Sequence, residues 1–439
     1  MKNFVSIEKL YDLFIECNQK ITTDTRKLEK GSIFFALKGE NFDANTFASE
    51  AIKGGCAYAV IDNPDISDGE KLLFVNNVLE TLQNLAKYHR TQLMYPVIGI
   101  TGSNAKTTHK ELIHAVLSQK FNAFATKGNL NNHIGVPLTI LSLTQQHEIA
   151  IIEMGANHQG EIAQLCDIAN PDYGIITNIG RAHLEGFGGE EGIKKGKGEL
   201  YKHIANRKGK LFVNGNDNVL TEMAGSIDKI VYGENKEFDV FGKAYENSEF
   251  VEFKWTVKGE EFEQKPLVKT QMFGHYNFIN LMCAVCIGNY FGVPALLINK
   301  ALEEYVPEMN RSQIKKTERN TLILDAYNAN PSSMNLAIQN FIKQPFSSKM
   351  CLLGDMLELG EYSKSEHEKI LKSLKDQNIK SVILVGPLFY QLKDEYLAFH
   401  FFAKIEEAEE YIKNQTVNGE TILIKGSRGI KLEKLVNFL

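Results

Sequence analysis

No uninterrupted apolar run in the 439-residue chain is long enough to span a bilayer, so membrane insertion is not expected. No block of basic residues offsets the formal net charge of −5, which leaves nucleic acid without the cationic footprint it selects. The opening residues Met1-Lys2-Asn3-Phe4-Val5-Ser6-Ile7-Glu8 carry polar side chains every few positions and no signal-peptide core. A cytoplasmic protein is the default expectation. Low-complexity segments and short-period repeats are missing too. Cysteine is sparse and scattered, at Cys17, Cys56, Cys166, Cys283, Cys286 and Cys351. Only Cys283 and Cys286 form a C-x-x-C, the spacing of a redox pair or half a zinc site. They lie in an apolar helical pattern with Phe278, Leu281, Met282, Val285 and Ile287 and have no second pair nearby. Small buried side chains on one helix face is the better reading.

What is present is an ordinary globular composition, 43% hydrophobic and 23% charged, on a chain long enough for two or three domains. The most informative stretch runs from Val97 to Thr108. The β-branched run Val97-Ile98-Gly99-Ile100-Thr101 ends in Gly102-Ser103-Asn104-Ala105, followed by Lys106-Thr107-Thr108 and a helical pattern through Leu117. A strand, a tight loop and a helix N-terminus make an anion cradle of backbone N–H groups. Lys106 adds a point charge for β/γ phosphates and Thr107 an oxygen for Mg²⁺. Ile100 and Ala105 stand where a phosphate loop usually has glycine, so the alternative, a βα turn that happens to contain Lys-Thr, stays open at this stage.

Residues 1–93 read as a small α/β unit. Asp24-Thr25-Arg26 stands ahead of a strand, either as a surface turn with an internal ion pair or as a loop gripping an anionic ligand. A helix from Val78 to Leu93 runs to Pro96, a natural boundary. Residues 94–313 read as the phosphate-handling unit. The polar loop containing Asn129, Asn131, Asn132 and His133 precedes a helix, and the apolar strand Ile149–Ile152 ends on Glu153. A carboxylate at that edge, beside a phosphate loop, is where a Mg²⁺-holding acid belongs. Asp172–Asn178 forms a further strand, after which His183 leaves the same edge, as a capping residue or as part of a site. Lys194, Lys195 and Lys197 open a helix, read from composition as a solvated face. The pattern then turns to β up to about 272, with Lys258-Gly259 as a hairpin turn, before a helix from Asn277 to Phe291. Residues 314–439 alternate strand and helix, with strands at 321–325, 350–355, 381–386 and 421–426. That is a doubly wound sheet with its site at the C-terminal edge.

Taken together, these motifs resemble the Mur ligases, ATP-dependent amide-forming enzymes of peptidoglycan precursor synthesis. The resemblance covers nearly the whole chain. It rests on Thr23-Asp24-Thr25-Arg26, Gly128-Asn129-Leu130-Asn131-Asn132, Glu153-Met154-Gly155-Ala156-Asn157, Ala182-His183-Leu184-Glu185-Gly186 and Lys197-Gly198-Glu199. Asp325-Ala326-Tyr327-Asn328-Ala329-Asn330-Pro331, Gly354-Asp355-Met356-Leu357-Glu358 and Lys425-Gly426-Ser427-Arg428 complete it. It implies an α/β fold of three domains: a small N-terminal α/β domain (1–93) for the UDP-sugar, a central P-loop mononucleotide-binding domain with an added β-sheet (94–313), and a C-terminal Rossmann-like doubly wound domain (314–439).

The resemblance also assigns roles. Gly102, Ser103, Asn104, Ala105, Lys106, Thr107 and Thr108 would hold the ATP phosphates, Asn277 and Asn280 the adenine side, and Arg311 and Asp325 the ribose and phosphates. Thr107 and Glu153 would serve one Mg²⁺, and His183 a second together with a carbamylated Lys197, which reverses the solvated-face reading for that lysine alone. Lys106, His183 and Lys197 are the implied catalytic set. Asp24, Thr25 and Arg26 in the first domain would bind the UDP-sugar end of the substrate, with Asn131 and Asn132 also substrate-binding. Tyr327, Asn328 and Asn330 would face the reacting peptide or nucleotide, with Lys425, Ser427 and Arg428 as weaker candidates. The implied reaction joins D-alanyl-D-alanine to UDP-N-acetylmuramoyl-tripeptide through an acyl phosphate, in a monomer. Rivals are the ligase adding the third peptide residue, a folylpolyglutamate synthase, and a nucleotide-binding module without chemistry. The Asn129–Asn132 loop and the Asp325–Asn330 run argue against the first two, and Glu153, His183 and Lys197 against the third.

Overall fold

The computed structural model describes residues 4–66, 69–245, 248–308, 310–377, 379–415 and 417–439. Met1, Lys2 and Asn3, part of the opening stretch read above, lie outside the described residues. Three large sheets organise the chain. The first is four-stranded and parallel, in the order Ile21–Thr22, Ile33–Phe35, Tyr58–Ile61, Leu72–Phe74. Helix Val78–Thr91 follows, and its buried face is fastened to the next unit. There the His89 ring contacts the Leu143 carbonyl at 2.8 Å, and Arg90 donates to the carbonyls of Ala169 and Leu93 and to Asp172.

The central sheet has nine strands. From Ala123–Ala125 through Ile149–Glu153, Val97–Thr101, Tyr173–Ile176, Lys210–Asn214 and Lys229–Gly233 to Val240–Tyr245 it is parallel. Strands Phe250–Val257 and Val268–Phe273 then join antiparallel. The added β-structure thus extends the central sheet and is not a separate layer. Lys258-Gly259 does not close a tight hairpin: residues 258–267 connect the two strands as a longer loop. Strands buried on both faces read as continuous apolar runs, which is why Val97–Thr101 and Ile149–Glu153 are buried at every position. Helix Phe278–Tyr290, apolar all round, is enclosed between the sheet and helix Lys106–Leu117. Its Cys283 and Cys286 are buried free thiols, as are the other four cysteines.

The third sheet has six strands, in the order Gln313–Lys316, Thr321–Leu324, Thr421–Lys425, Lys349–Gly354, Ser381–Val385, His400–Phe402. All pairs are parallel except the edge pair made by Gln313–Lys316. No helix among the described residues is long and apolar enough to cross a membrane.

In the central sheet, Val97–Thr101 lies between Ile149–Glu153 and Tyr173–Ile176. The chain crosses to one side of it and later to the other. Open α/β sheets bind ligands in the crevice that such a reversal opens at the strands' C-terminal ends.

Candidate functional site

The loop after Val97–Thr101 is fixed by two backbone requirements. Gly102 has φ +143, and a Cβ there would lie 2.0 Å from Thr177 Oγ1. Ala105, the residue before helix Lys106–Leu117, is left-handed at φ +59, ψ +16. The loop is braced from the neighbouring strand. Ser103 N donates to the Asn178 carbonyl, Asn104 N to Asn178 Oδ1, and Thr177 Oγ1 to the Asn104 carbonyl. Lys106 Nζ donates to the Gly102 and Ser103 carbonyls at 2.7 and 3.3 Å, so its ammonium sits over the loop. Burial lowers the Lys106 pKa; Glu153 opposes the shift and the positive charge of Arg311 adds to it.

Glu153 is only 2% exposed. Its carboxylate accepts from Thr107 Oγ1 at 3.0 and 3.2 Å and from Asn131 Nδ2 at 2.7 Å, while its own N–H donates to Thr126 Oγ1. Lys110, fully buried, places Nζ 3.9 Å from Glu153 and donates to the Thr126 carbonyl at 2.6 Å. One helical turn separates Thr107 from Lys110, so both face the same carboxylate. Lys110 was missed as part of the site; its spacing from Thr107 was the available signal.

His183 is left-handed at φ +55, and its Nδ1 hydrogen-bonds Glu358 of the third sheet's loop region. That bond holds the Glu358 carboxyl below its ordinary range. Lys197 is 1% exposed, donates to the Ala156 carbonyl at 3.1 Å and lies 4.8 Å above the Phe187 ring. Burial, reinforced by Lys106's charge, pushes its pKa well down. It is not a solvated residue, whereas its neighbour Lys195 is exposed.

The far wall comes from the helix start and from the third sheet. Asn277 Nδ2 donates to the Phe273 carbonyl at 2.7 Å, and Asn280 Nδ2 to Asn277 Oδ1 at 2.8 Å. Asp325 pairs with Lys425 at 2.6 Å. Asn330 caps helix Pro331–Lys343 and also donates to Asn104 Oδ1 at 2.6 Å, tying the third sheet to the phosphate loop. Arg181, unassigned from sequence, bridges Glu190 at 2.6 Å and Glu366 at 2.9 Å, and its N–H donates to Ser332.

A single cavity of about 880 Å³ gathers most of the expected residues. Ser103, Asn104, Ala105, Lys106, Thr107, Thr108, Asn131, Asn132, Glu153, His183, Asn277, Asn280, Arg311, Asp325, Tyr327 and Asn328 all line it. So do Thr177, Asn178, Asn214, Asn216 and Glu234, at strand ends that sequence reasoning left without individual roles. Asn132 has a structural task as well, accepting from the Ile134 and Gly135 N–H groups. Gly102 and Lys197 are not among the lining residues. Asn330, Ser427 and Arg428 line a smaller cavity of about 120 Å³ next door, with His183 and Glu358.

Asp24, Thr25 and Arg26 are in neither cavity. Asp24 accepts from Arg26 N at 3.0 Å and from Nε and Nη2 at 2.9 Å, the internal ion pair of the plainer reading. Those bonds hold the Asp24 pKa down to about 2.

No group of three or more His, Cys, Asp or Glu side chains converges among the described residues. The Thr107 hydroxyl and the Glu153 carboxylate are instead hard oxygen donors, the kind that shares Mg²⁺ with phosphates and water. The donor chemistry therefore fits Mg²⁺ held jointly with a nucleotide.

Comparison with known proteins finds matches over most of the chain. The family model for the Mur ligase middle domain matches residues 100–288, and that for the Mur ligase, glutamate ligase domain matches 310–428. The UDP-N-acetylmuramoyl-tripeptide–D-alanyl-D-alanine ligase of Bacillus subtilis is 36% identical over 433 residues, covering 95% of this chain and 92% of its own. MurF from Acinetobacter baumannii superposes with a TM-score of 0.85 at 33% identity, over 95% of this chain and 92% of that one. MurF from Thermotoga maritima, solved in complex with ADP, gives 0.84 at 25% identity over 97% of both chains.

Proposed function

The chain belongs to the Mur ligase family, and from that premise we propose that it joins D-alanyl-D-alanine to a UDP-N-acetylmuramoyl-tripeptide at the expense of ATP. One observation carries the reading: the phosphate loop, Glu153 and His183 share one cavity with Arg311, Asp325 and Tyr327 from the linker and third sheet. An amide ligase must bring nucleotide, acid and amine together, and a cavity walled by two sheets supports that.

In the first step a carboxylate oxygen of the tripeptide attacks the γ-phosphorus of ATP, and the bond to the bridging oxygen breaks to release ADP. The amine of D-alanyl-D-alanine then attacks the acyl phosphate carbonyl, and the tetrahedral intermediate expels phosphate. Lys106 and the loop N–H groups offset charge on the transferring group. Thr107 and Glu153 would hold one Mg²⁺, and His183 with Lys197 would serve a second. Bound there, the metal draws charge off the phosphoryl oxygens. Burial lowers the Lys197 pKa and so favours the free amine, which supports its carbamylation, since only the free amine adds CO₂.

Residues 1–93, 94–313 and 314–439 act as UDP-sugar, ATP and ligase domains in this reading, with Asp24–Arg26, Asn131 and Asn132 toward the muramoyl-peptide and Asn328 and Asn330 toward the incoming dipeptide. Enclosure between sheets protects the acyl phosphate from water. The protein acts as a cytoplasmic monomer.

The test supplies UDP-muramoyl-tripeptides ending in diaminopimelate or in lysine, with ATP, Mg²⁺ and D-alanyl-D-alanine, and follows ADP release and product mass. A pentapeptide product with ADP formed in equal amount is expected, and only slow ATP hydrolysis without both substrates. Brisk hydrolysis of ATP alone, or no pentapeptide from either acceptor, overturns the assignment.

A further inference from the structure

Arg311 reaches the cavity from the linker between helix Ala295–Glu304 and strand Gln313–Lys316. It makes no ion pair among the described residues, and its Nε is buried without a hydrogen-bond partner. What holds it is a ring: the guanidinium carbon lies 3.7 Å from the centroid of Tyr327, two residues beyond Asp325. Arg428 approaches the same ring at 5.4 Å.

An arginine side chain carries much rotamer freedom, so a cation that must meet a phosphate gains from being fixed beforehand. A carboxylate partner would fix it but would also neutralise it and compete with the phosphate. An aromatic face fixes the plane of the guanidinium and leaves its charge and donors free. The unpartnered Nε is what remains when a ring, and not an acid, does the holding.

We propose that Tyr327 is a positioning residue for nucleotide binding, its ring serving as the platform that presents the Arg311 guanidinium to the ATP phosphates. This assigns Tyr327 a task through its ring face and through Arg311, where the family resemblance implied direct contact with the reacting peptide or the nucleotide. The inference rests on the ATP reading of the cavity.

Four variants and two readouts test it: Tyr327→Leu, Tyr327→Phe, Arg311→Ala and the Arg311→Ala, Tyr327→Leu pair. Tyr327→Leu is expected to raise the KM for ATP about 3- to 10-fold, with kcat at saturating ATP and the KM for D-alanyl-D-alanine changed less than 2-fold. Tyr327→Phe, which keeps the ring and loses the hydroxyl, recovers most of that loss. In an Arg311→Ala background Tyr327→Leu adds no further rise. Calorimetric ADP affinities of the full-length variants should follow the same order, with circular dichroism melts verifying that each variant is folded. A Phe variant as impaired as Leu, an unchanged ATP KM in Tyr327→Leu, or an undiminished effect without Arg311 overturns the proposal. Failure of the unmodified protein to bind ADP or ATP at all overturns the reading of the cavity and this inference with it.

Discussion

Replacing Ala105 by glycine isolates one strained residue in the phosphate loop. Ala105 sits at φ +59, ψ +16, where an L-residue with a Cβ loses roughly 1–2 kcal/mol relative to its preferred conformations. Its carbonyl accepts from the His109 N–H at 2.9 Å, so the conformation is bound into the first turn of the helix. Glycine removes the strain but widens the unfolded ensemble, at a cost of about 0.4–1 kcal/mol. The difference is a net gain of about 0.5–1 kcal/mol for Ala105→Gly. An Ala→Gly change in ordinary helical backbone would lose a similar amount. Urea denaturation reads this as a rise in midpoint at unchanged slope. The same substitution removes a methyl group from the cavity wall, so the KM for ATP is expected to fall, by up to about 5-fold if the strain is relieved mainly in the nucleotide complex. A lower urea midpoint together with an unchanged or raised KM refutes the reasoning.

Gly102→Ala should act in the opposite sense: its Cβ would stand 2.0 Å from Thr177 Oγ1 and 2.9 Å from Thr177 N, so a loss of roughly 2–4 kcal/mol in stability is expected, and a wild-type urea midpoint would contradict it. Asp355, fully buried at the start of helix Pro387–Tyr390 and accepting from the Leu388 and Phe389 N–H groups, has its pKa pushed up to about 6 by burial. A raised folded pKa means the native state holds the proton more tightly. Its contribution is therefore complete below the unfolded value of 3.8 and is lost as pH rises through 6, by about 3 kcal/mol. The stability of Asp355→Asn relative to wild type should thus improve between pH 4 and pH 7, and a pH-independent difference would contradict that. Arg181→Ala breaks the bridge to Glu366, half-exposed on the arginine side, so a 2- to 5-fold fall in kcat/KM at low salt is expected, with a melt close to wild type. No change at low salt would show that the bridge does not help hold the third sheet against the phosphate loop.

The fold was legible where information is local. Apolar runs ended by Gly, Asp, Glu or Lys gave the parallel strands of the central and third sheets, because a strand buried on both faces needs no alternation. Less legible were strands whose identity depends on a neighbour. Val240–Tyr245 contains Gly242, where a Cβ would meet Met282 Sδ at 2.4 Å; this glycine marks a close approach to the buried helix, not a break. Lys258-Gly259 carried a turn signal, but pairing of Phe250–Val257 with Val268–Phe273 begins only after residue 267, so the hairpin closes through a long loop. Gln313–Lys316 was missed because a four-residue edge strand with two exposed lysines has no pattern beyond that of a linker.

The site divides along the same line. Lys106, Thr107 and Glu153 were readable because a strand, a turn and a helix start place them whatever the rest of the chain does. His183 was read from its place at the sheet edge as a capping or site residue, but its metal role, like that of Lys197, came from family likeness, and the structure supplies reasons for notice that the sequence could not. Lys197 is buried against a ring and a carbonyl, and His183 is held by Glu358 across 175 positions. Pairings such as Arg311 with Tyr327 and Arg181 with Glu366 depend on how the third sheet docks on the second, and no single-chain periodicity encodes that. Even so, such contacts have a compositional trace. Each joins a cation to a partner that fixes it without filling the cavity: a ring for Arg311, an edge carboxylate for Arg181, loop carbonyls for Lys106. A site that handles triphosphate must gather positive charge without repelling itself apart; burial is the main cause of the depressed Lys106 and Lys197 pKa values, and the neighbouring cations Arg311 and Lys106 add to it. An incoming polyanion relieves that repulsion, so nucleotide binding and docking of the third sheet should reinforce each other.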